Sequence, residues 1–239
     1  MSLGLEGKAA VVTGGGSGIG DACVRLLEAN GVRVTRIDLR LTPSIDVTDR
    51  AALDAVAAEL EAREGGLDIL INAHGILTPN APLDDLPLDD FRRNYEVNVL
   101  GIVNTCQAFG ALLKRRGGAV VNVSSQAALV SLPQQAAYSA AKAAVAALTR
   151  SLAIDWAADG VRANAVAPGF TMTPMTEAFF ENETFTKAAK GRIPLGQILG
   201  ADEIAGAIVF LASPLASAVT GVVLPVDGGW TAGEPALPW

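Results

Sequence analysis

Thr13-Gly14-Gly15-Gly16-Ser17-Gly18-Ile19-Gly20 follows the apolar run Ala9–Thr13 and leads into a helical pattern over residues 19–30. The run before it reads as a strand, so these glycines form a strand-to-helix turn. Glycine allows such a turn to bend tightly and lets the backbone approach a pyrophosphate. The helix start adds unpaired N–H groups and the positive end of a dipole. The spacing Gly14-x-x-x-Gly18-x-Gly20 differs from G-x-G-x-x-G, and glycine turns also arise for steric reasons alone. Its place between strand and helix is what makes it a phosphate-binding candidate.

Outward from this turn, strand and helix patterns alternate. Strands are expected at 33–38, 69–72, 119–124, 162–167 and 222–226. Helices are expected at 50–63, 91–114 (one or two), 137–157 and 201–212. Such alternation implies βαβ crossovers, hence a parallel sheet with helices on both faces. The chain has 239 residues, 50% hydrophobic and only 5% aromatic. That suits one domain with an aliphatic core. Residues 171–199 lack a core pattern and are read as a substrate lid beside the sheet's C-terminal edge.

Composition excludes several classes. A formal net charge of −7 argues against a nucleic-acid partner. Two cysteines, Cys23 and Cys106, and one histidine, His74, offer no metal-ligand spacing and no disulfide framework. No metal site is therefore expected. Residues 204–226 carry no formal charge, but Pro214, Pro225 and several hydroxyl residues interrupt them. A helix, a turn and a strand fit this segment better than a membrane span. Strand-like sequence begins by Lys8, so no secretory leader is expected, and the protein is placed in the cytoplasm.

Asp38 ends the second strand, 18 residues after Gly20. A carboxylate there accepts hydrogen bonds from both hydroxyls of an adenosine ribose and repels a 2′-phosphate. NAD is thus expected over NADP, although Arg36 and Arg40 lie nearby.

Tyr138 and Lys142 are four residues apart on a helical segment, which puts them on one face. Proton transfer from an alcohol needs a base effective near neutral pH, and a free tyrosine has a pKa of about 10. An ammonium ~4 Å away, at an effective dielectric of ~20, favours the phenolate by roughly 4 kcal/mol, about three pKa units. Ser125 follows a strand, thirteen residues before Tyr138, where its hydroxyl could bind a carbonyl oxygen. Asn98 lies within the 91–114 pattern and is expected to kink it by side-chain to backbone bonding.

Taken together, these residues resemble the short-chain dehydrogenase/reductase family over nearly the whole length. The matching pieces are Thr13 to Gly20, Asp46-Val47, Asn72-Ala73-His74-Gly75, Asn98, Ser124-Ser125, Tyr138-x-x-x-Lys142, Pro168-Gly169 with Thr173, and Asp227-Gly228-Gly229. The resemblance implies a Rossmann-type, doubly wound parallel sheet and a catalytic tetrad of Asn98, Ser125, Tyr138 and Lys142. In it Tyr138 is the acid or base, Ser125 holds the substrate oxygen, Lys142 binds the nicotinamide ribose and depresses the Tyr138 pKa, and Asn98 holds a relay water. It further implies cofactor contacts from Gly14, Ser17, Gly18, Ile19, Gly20, Asp38, Asp46, Val47, Asn72, Gly75, Tyr138, Lys142, Pro168, Gly169, Thr171 and Thr173. A homotetramer is implied as well.

Three departures stand out. The family's Asn-Asn-Ala-Gly run carries His74 here, beside the expected cofactor path. Thr171 takes a place usually held by Ile or Val. Only seven residues separate Asp38 from Asp46, so the helix often found in that connection is expected to be absent or a mere turn.

For the substrate, Gln126 and Gln135 flank the site with amides able to bind hydroxyls, and the stretch Ser124 to Pro133 is similar to that of polyol dehydrogenases. With Ser125, Tyr138 and Phe170 they make up the expected substrate contacts. A polyol or secondary alcohol is one reading. Phe170, Met172, Met175, Phe179 and Phe180 support another, a bulkier aryl or acyl ketone. A dinucleotide-binding regulator would be expected to lack a tetrad member, and all four are present. The Pro-rich tail 233–239 is a candidate for reaching a neighbouring subunit or a bound cation.

Overall fold

The computed structural model describes residues 2–233. The suggested role of the tail falls almost wholly outside them. In chain order the elements are β1 (Ala9–Thr13), α1 (Gly18–Glu28), β2 (Arg33–Ile37), α2 (Arg50–Glu64), β3 (Ile69–Asn72) and α3 (Leu88–Tyr95). A π-turn (Glu96–Leu100), α4 (Gly101–Arg116), β4 (Ala119–Val123), α5 (Ala136–Asp155) and β5 (Arg162–Pro168) follow. The chain continues through β6 (Thr171–Met172), α6 (Glu177–Phe180), α7 (Glu183–Arg192), β7 (Leu199–Gly200), α8 (Ala201–Ala212) and β8 (Val223–Val226).

Six strands form one sheet in the order β2-β1-β3-β4-β5-β8, every neighbouring pair parallel. From β1 the chain passes to β2 on one side and returns to β3 on the other. The switch point therefore lies at the C-terminal ends of β1 and β3, where such sheets bind ligands.

Burial on both faces explains the unbroken apolar strands. Ala10 and Val12 of β1 face a core built with Cys23 and Leu27 of α1 and Ile204 and Ile208 of α8. Ala9 and Val11 face the opposite core, with Leu53 of α2, Phe109 of α4 and Val145 of α5. Residues 204–226 form a buried helix, a turn and a strand, as their interrupted apolar pattern implies. The helical run Leu88–Arg116 meets the length and composition of a membrane span, but 56% of its most apolar window is buried within the fold.

Residues 39–43 form only turns and bends, and the Ile45 amide donates to the Asp38 carbonyl at 3.3 Å. The connection is thus too short for the helix often found there. Residues 171–199 hold two short helices between β6 and β7, which pair in parallel as a small second sheet. In 91–114 the structure departs from the expected kinked α-helix. A π-turn sits between α3 and α4, and Asn98 lies within it.

Candidate active site

The glycine turn is shaped by close approach. Gly14 has φ +67°, and a Cβ there would lie 2.7 Å from the His74 amide nitrogen. At Gly20 a Cβ would meet the Gly14 carbonyl oxygen at 2.1 Å, so the start of α1 packs directly on the turn. Ser17 occupies the N-cap of α1 without a side-chain cap bond. Its Oγ accepts instead from Arg40 Nη1 at 2.6 Å. The first N–H groups of α1 are thereby left without a side-chain acceptor, as an anion-binding helix start requires.

Asp38 ends β2 beside this turn. Its Oδ2 accepts from the Gly16 amide at 3.0 Å and its Oδ1 from the Arg40 amide at 2.8 Å. Arg36 is held by Asp21 and Glu28, at 3.4 Å each. Arg40 is thus the arginine that reaches the turn. Asp46 Oδ1 takes the Thr48 amide and hydroxyl at 2.9 and 2.8 Å, which orders the chain ahead of the Asp49 cap of α2.

A cleft of about 410 Å³ runs from Asp38 and Val47, past Gly14, Gly18 and Gly75, to Ser125, Tyr138 and Lys142. Ser17, Ile19, Asp46, Pro168, Gly169, Thr171 and Thr173 also line it. So do Gln126, Gln135 and Phe170. A turn with no room for side chains, an open helix start and a continuous cleft from Asp38 to Tyr138 fit an extended dinucleotide.

At the far end, Ser125 caps a short 3-10 turn, its Oγ accepting the Ala127 amide at 3.1 Å. Tyr138 shares a hydrogen bond with Ser125. Lys142 is buried, its Nζ 5.7 Å from the Tyr138 ring centroid and donating to the Val123 carbonyl at 2.9 Å. Ser124 Oγ donates to the Lys142 carbonyl at 2.9 Å, tying α5 to the end of β4.

Charge balance here differs from the expectation that Lys142 depresses Tyr138. Burial pushes the Tyr138 phenol up, with the Ser125 hydrogen bond pulling it down. Burial also brings Lys142 down to about 8. Both groups lose hydration, and the Lys142 ammonium is turned to a backbone carbonyl rather than onto the phenol oxygen.

Three expected residues sit behind the cleft wall. Asn72 is fully buried, donating to Asn122 Oδ1 at 2.8 Å and accepting from Thr105 Oγ1 at 2.7 Å. Its side chain joins β3 to β4 and α4, which corrects its expected cofactor contact. Gly20 shapes the turn without lining the cleft. Asn98 faces the loop after β3 instead of its own helix. Its Oδ1 accepts the Ile76 amide at 3.1 Å, and its Nδ2 donates to the Ile76 carbonyl at 3.0 Å. Both Nδ2 hydrogens are taken by protein partners, which leaves one acceptor position on Oδ1.

Sequence reasoning missed Asn94. It is fully buried, accepts from Asn98 Nδ2 at 3.0 Å and donates to Thr78 Oγ1 at 2.6 Å. The i, i+4 spacing of two amides was the available signal. In the 171–199 segment, Thr176 Oγ1 donates to the Thr171 carbonyl and lies 3.0 Å from Thr173 Oγ1. Phe170 packs edge-on against Phe180, Phe185 and Trp230.

Comparison with known proteins agrees with this geometry. A family model described as enoyl-(acyl carrier protein) reductase matches residues 14–231. Galactitol 2-dehydrogenase (L-tagatose-forming) of Cereibacter sphaeroides is 41% identical, over 95% of this chain and 96% of that protein. The chain is a short-chain dehydrogenase/reductase. Cis-4-hydroxycyclohexanecarboxylate dehydrogenase of Sinomonas cyclohexanicum is 40% identical, over 94% of this chain and 97% of its own. A gluconate 5-dehydrogenase from Burkholderia cenocepacia, solved with NADP and tartrate, superposes with a TM-score of 0.92 at 34% identity, covering 97% of this chain and 98% of that one. As a member of this family, the protein binds a nicotinamide dinucleotide and acts as an oxidoreductase on alcohol-type substrates.

Proposed function

We propose that this dehydrogenase oxidises a secondary hydroxyl of a polyol or sugar alcohol with NAD, using Asn98, Ser125, Tyr138 and Lys142. The observation that carries this reading is the meeting of Ser125, Tyr138 and Lys142 at one end of a cleft whose other end is the Asp38 carboxylate. When bound, the nicotinamide supplies the hydride acceptor. Tyr138 takes the hydroxyl proton at its phenol oxygen while Ser125 Oγ holds the substrate oxygen. Lys142, its Nζ 5.7 Å from the centre of the Tyr138 ring, is the cation that would favour the phenolate. That opposes the cost of burial on the same phenol.

Two amides favour a hydroxyl-rich substrate. Gln126 Oε1 is buried without a hydrogen-bond partner among the described residues, and Gln126 lines the cleft. Gln135 holds the N-cap place of α5 but makes no side-chain cap bond. Neither amide is therefore occupied with capping its own loop. D-threitol dehydrogenase of Mycolicibacterium smegmatis, 36% identical over 95% of this chain, is a relative consistent with polyols. A second reading, a bulkier aryl or acyl ketone, rests on Met175 and Phe179 in the cleft wall.

For the cofactor, Asp38 supports NAD, and Arg40 beside Ser17 is the feature that would serve a 2′-phosphate. The NADP in the gluconate 5-dehydrogenase belongs to that protein. We further read one catalytic domain over 1–239 with a lid at 171–199, assembled as a cytoplasmic homotetramer without nucleic-acid or membrane partners. Solution mass measurement tests the assembly.

The deciding experiment is a reduction assay with NAD and with NADP across polyols and aryl ketones, paired with Tyr138→Phe. Loss of about 10²–10⁴-fold in rate is expected for the variant. Near wild-type turnover would overturn the mechanism, and no polyol oxidation would overturn the substrate class.

A further inference from the structure

His74 replaces the alanine of the family's run, and the fold has been fitted around it. The side chain is 8% exposed. Its Nδ1 lies 2.5 Å from Thr13 Oγ1, the last residue of β1. On the opposite side of the ring, Nε2 packs against the start of α4. A Cβ on Gly101 would lie 2.8 Å from Nε2 and 2.8 Å from Val47 Cγ2. The ring therefore spans the space between the phosphate turn and Gly101, where the π-turn passes into α4.

We propose that His74 is a positioning residue, whose imidazole ties the end of β1 to the π-turn carrying Asn98 and so links the dinucleotide end of the cleft to the catalytic end. This rests on the tetrad reading above.

The hydrogen-bond chemistry sets the direction of the link. Thr13 Oγ1 has one proton and two acceptors in reach, His74 Nδ1 at 2.5 Å and the Ile71 carbonyl at 3.4 Å. The proposed link takes the tautomer in which Nδ1 accepts from Thr13 and Nε2 carries the hydrogen; in the opposite tautomer Nδ1 would donate to Thr13 while Thr13 gives its proton to Ile71. Nε2 is buried and has no hydrogen-bond partner among the described residues. The acceptor acting on the ring is the Val97 carbonyl, inside the π-turn and next to Asn98. The charged groups acting on His74 are Lys142 of α5 and Asp46 of the loop before α2. Burial first, then Lys142, brings the imidazole down to about 3, against the pull of the Val97 carbonyl and Asp46. It therefore stays neutral at neutral pH and keeps this donor arrangement.

Five variants, the last a double substitution, test the link, using the full-length enzyme with NAD and its best alcohol. His74→Ala is expected to fold, since the family carries alanine there. It should lower kcat by about tenfold, because a displaced support shifts the catalytic groups, with KM for the alcohol little changed. The pH dependence of kcat should shift with it. His74→Gln, which places an amide N–H near the Nε2 position, should regain most of the loss. His74→Asn, reaching only the Nδ1 position, should not. Gly101→Ala should impair the wild type and be better tolerated with His74→Ala, which removes one of the two atoms a Cβ there would meet at 2.8 Å, the other being Val47 Cγ2. Wild-type kcat and pH profile in all His74 variants, with only a lower Tm, would overturn the proposal and leave His74 a core filler. If His74→Ala is insoluble, His74→Asn against His74→Gln carries the same comparison. Activity surviving in Tyr138→Phe would instead mark failure of the tetrad reading.

Discussion

Asn98 grips the backbone of Ile76 from both sides, its Oδ1 taking the amide at 3.1 Å and its Nδ2 giving to the carbonyl at 3.0 Å. A residue in a π-turn thus fixes the loop that leaves β3, and Asn94 braces it from one helical turn away. Removing the Asn98 side chain orphans both Ile76 groups and one oxygen of Asn94. Each buried orphan costs roughly 1–3 kcal/mol. Asn98→Ala should therefore lower the melting temperature clearly and reduce kcat. Asn94→Leu should cost less stability while retaining part of the activity. Calorimetry and steady-state kinetics on the two variants check this order, and equal effects would contradict it.

Asp38 touches the glycine turn and the base of Arg40. Replacing it by serine removes the charge that repels a 2′-phosphate while Arg40 stays in reach of it. Asp38→Ser should raise the ratio of kcat/KM for NADP over NAD by about tenfold or more, given attraction of a few kcal/mol between close charges. Arg40→Ala should lower that ratio. An unchanged preference in both variants would remove these residues from cofactor choice.

Gly20 has no space for a methyl group, since its Cβ would lie 2.1 Å from the Gly14 carbonyl oxygen. Both atoms belong to backbone, so the start of α1 must move off the turn. Gly20→Ala should abolish measurable NAD binding by fluorescence titration. It should also cost about 1–3 kcal/mol, the usual penalty of overpacking. Tight binding in that variant would mean that α1 tolerates the shift.

Gln126 presents a buried, unpartnered Oε1 in the cleft. With a hydroxyl-rich substrate as its partner, Gln126→Leu should raise KM for polyols by about tenfold, the value of one hydrogen bond. The dissociation constant for NAD should be unaffected. The same variant should leave aryl ketone reduction intact or improve it. An unchanged polyol KM would favour the bulkier substrate class.

His74 also carries a pH signature in stability. Its folded pKa is brought down to about 3 from the ordinary 6.5, so the unfolded chain binds a proton first as pH falls. Its contribution is complete above pH ~6.5 and declines between there and pH ~3, by at most about 1.4 kcal/mol per pH unit. Urea unfolding at pH 7 and pH 5 should show a smaller loss of stability in His74→Ala than in the wild type. Equal losses would mean that other groups dominate acid unfolding.

The chain's own pattern determined much of this protein. Alternating apolar runs and helical periods specified a parallel sheet covered on both faces, because strand and helix periodicities are local properties. The run from Thr13 to Gly20, the charge of Asp38 and the Tyr138–Lys142 spacing marked the ends of one cleft, since each depends on residues close in sequence. Tertiary structure alone decided the rest. Asn72 was turned inward because Asn122 and Thr105, 50 and 33 residues away, offered partners there. Asn98 was drawn to the backbone of Ile76, 22 residues away, and not to the backbone of its own helix. Burial set the directions at Tyr138 and Lys142, and burial is a property of the packed molecule. His74 was a bare departure from a motif until folding placed Thr13 on one side of its ring and the π-turn on the other.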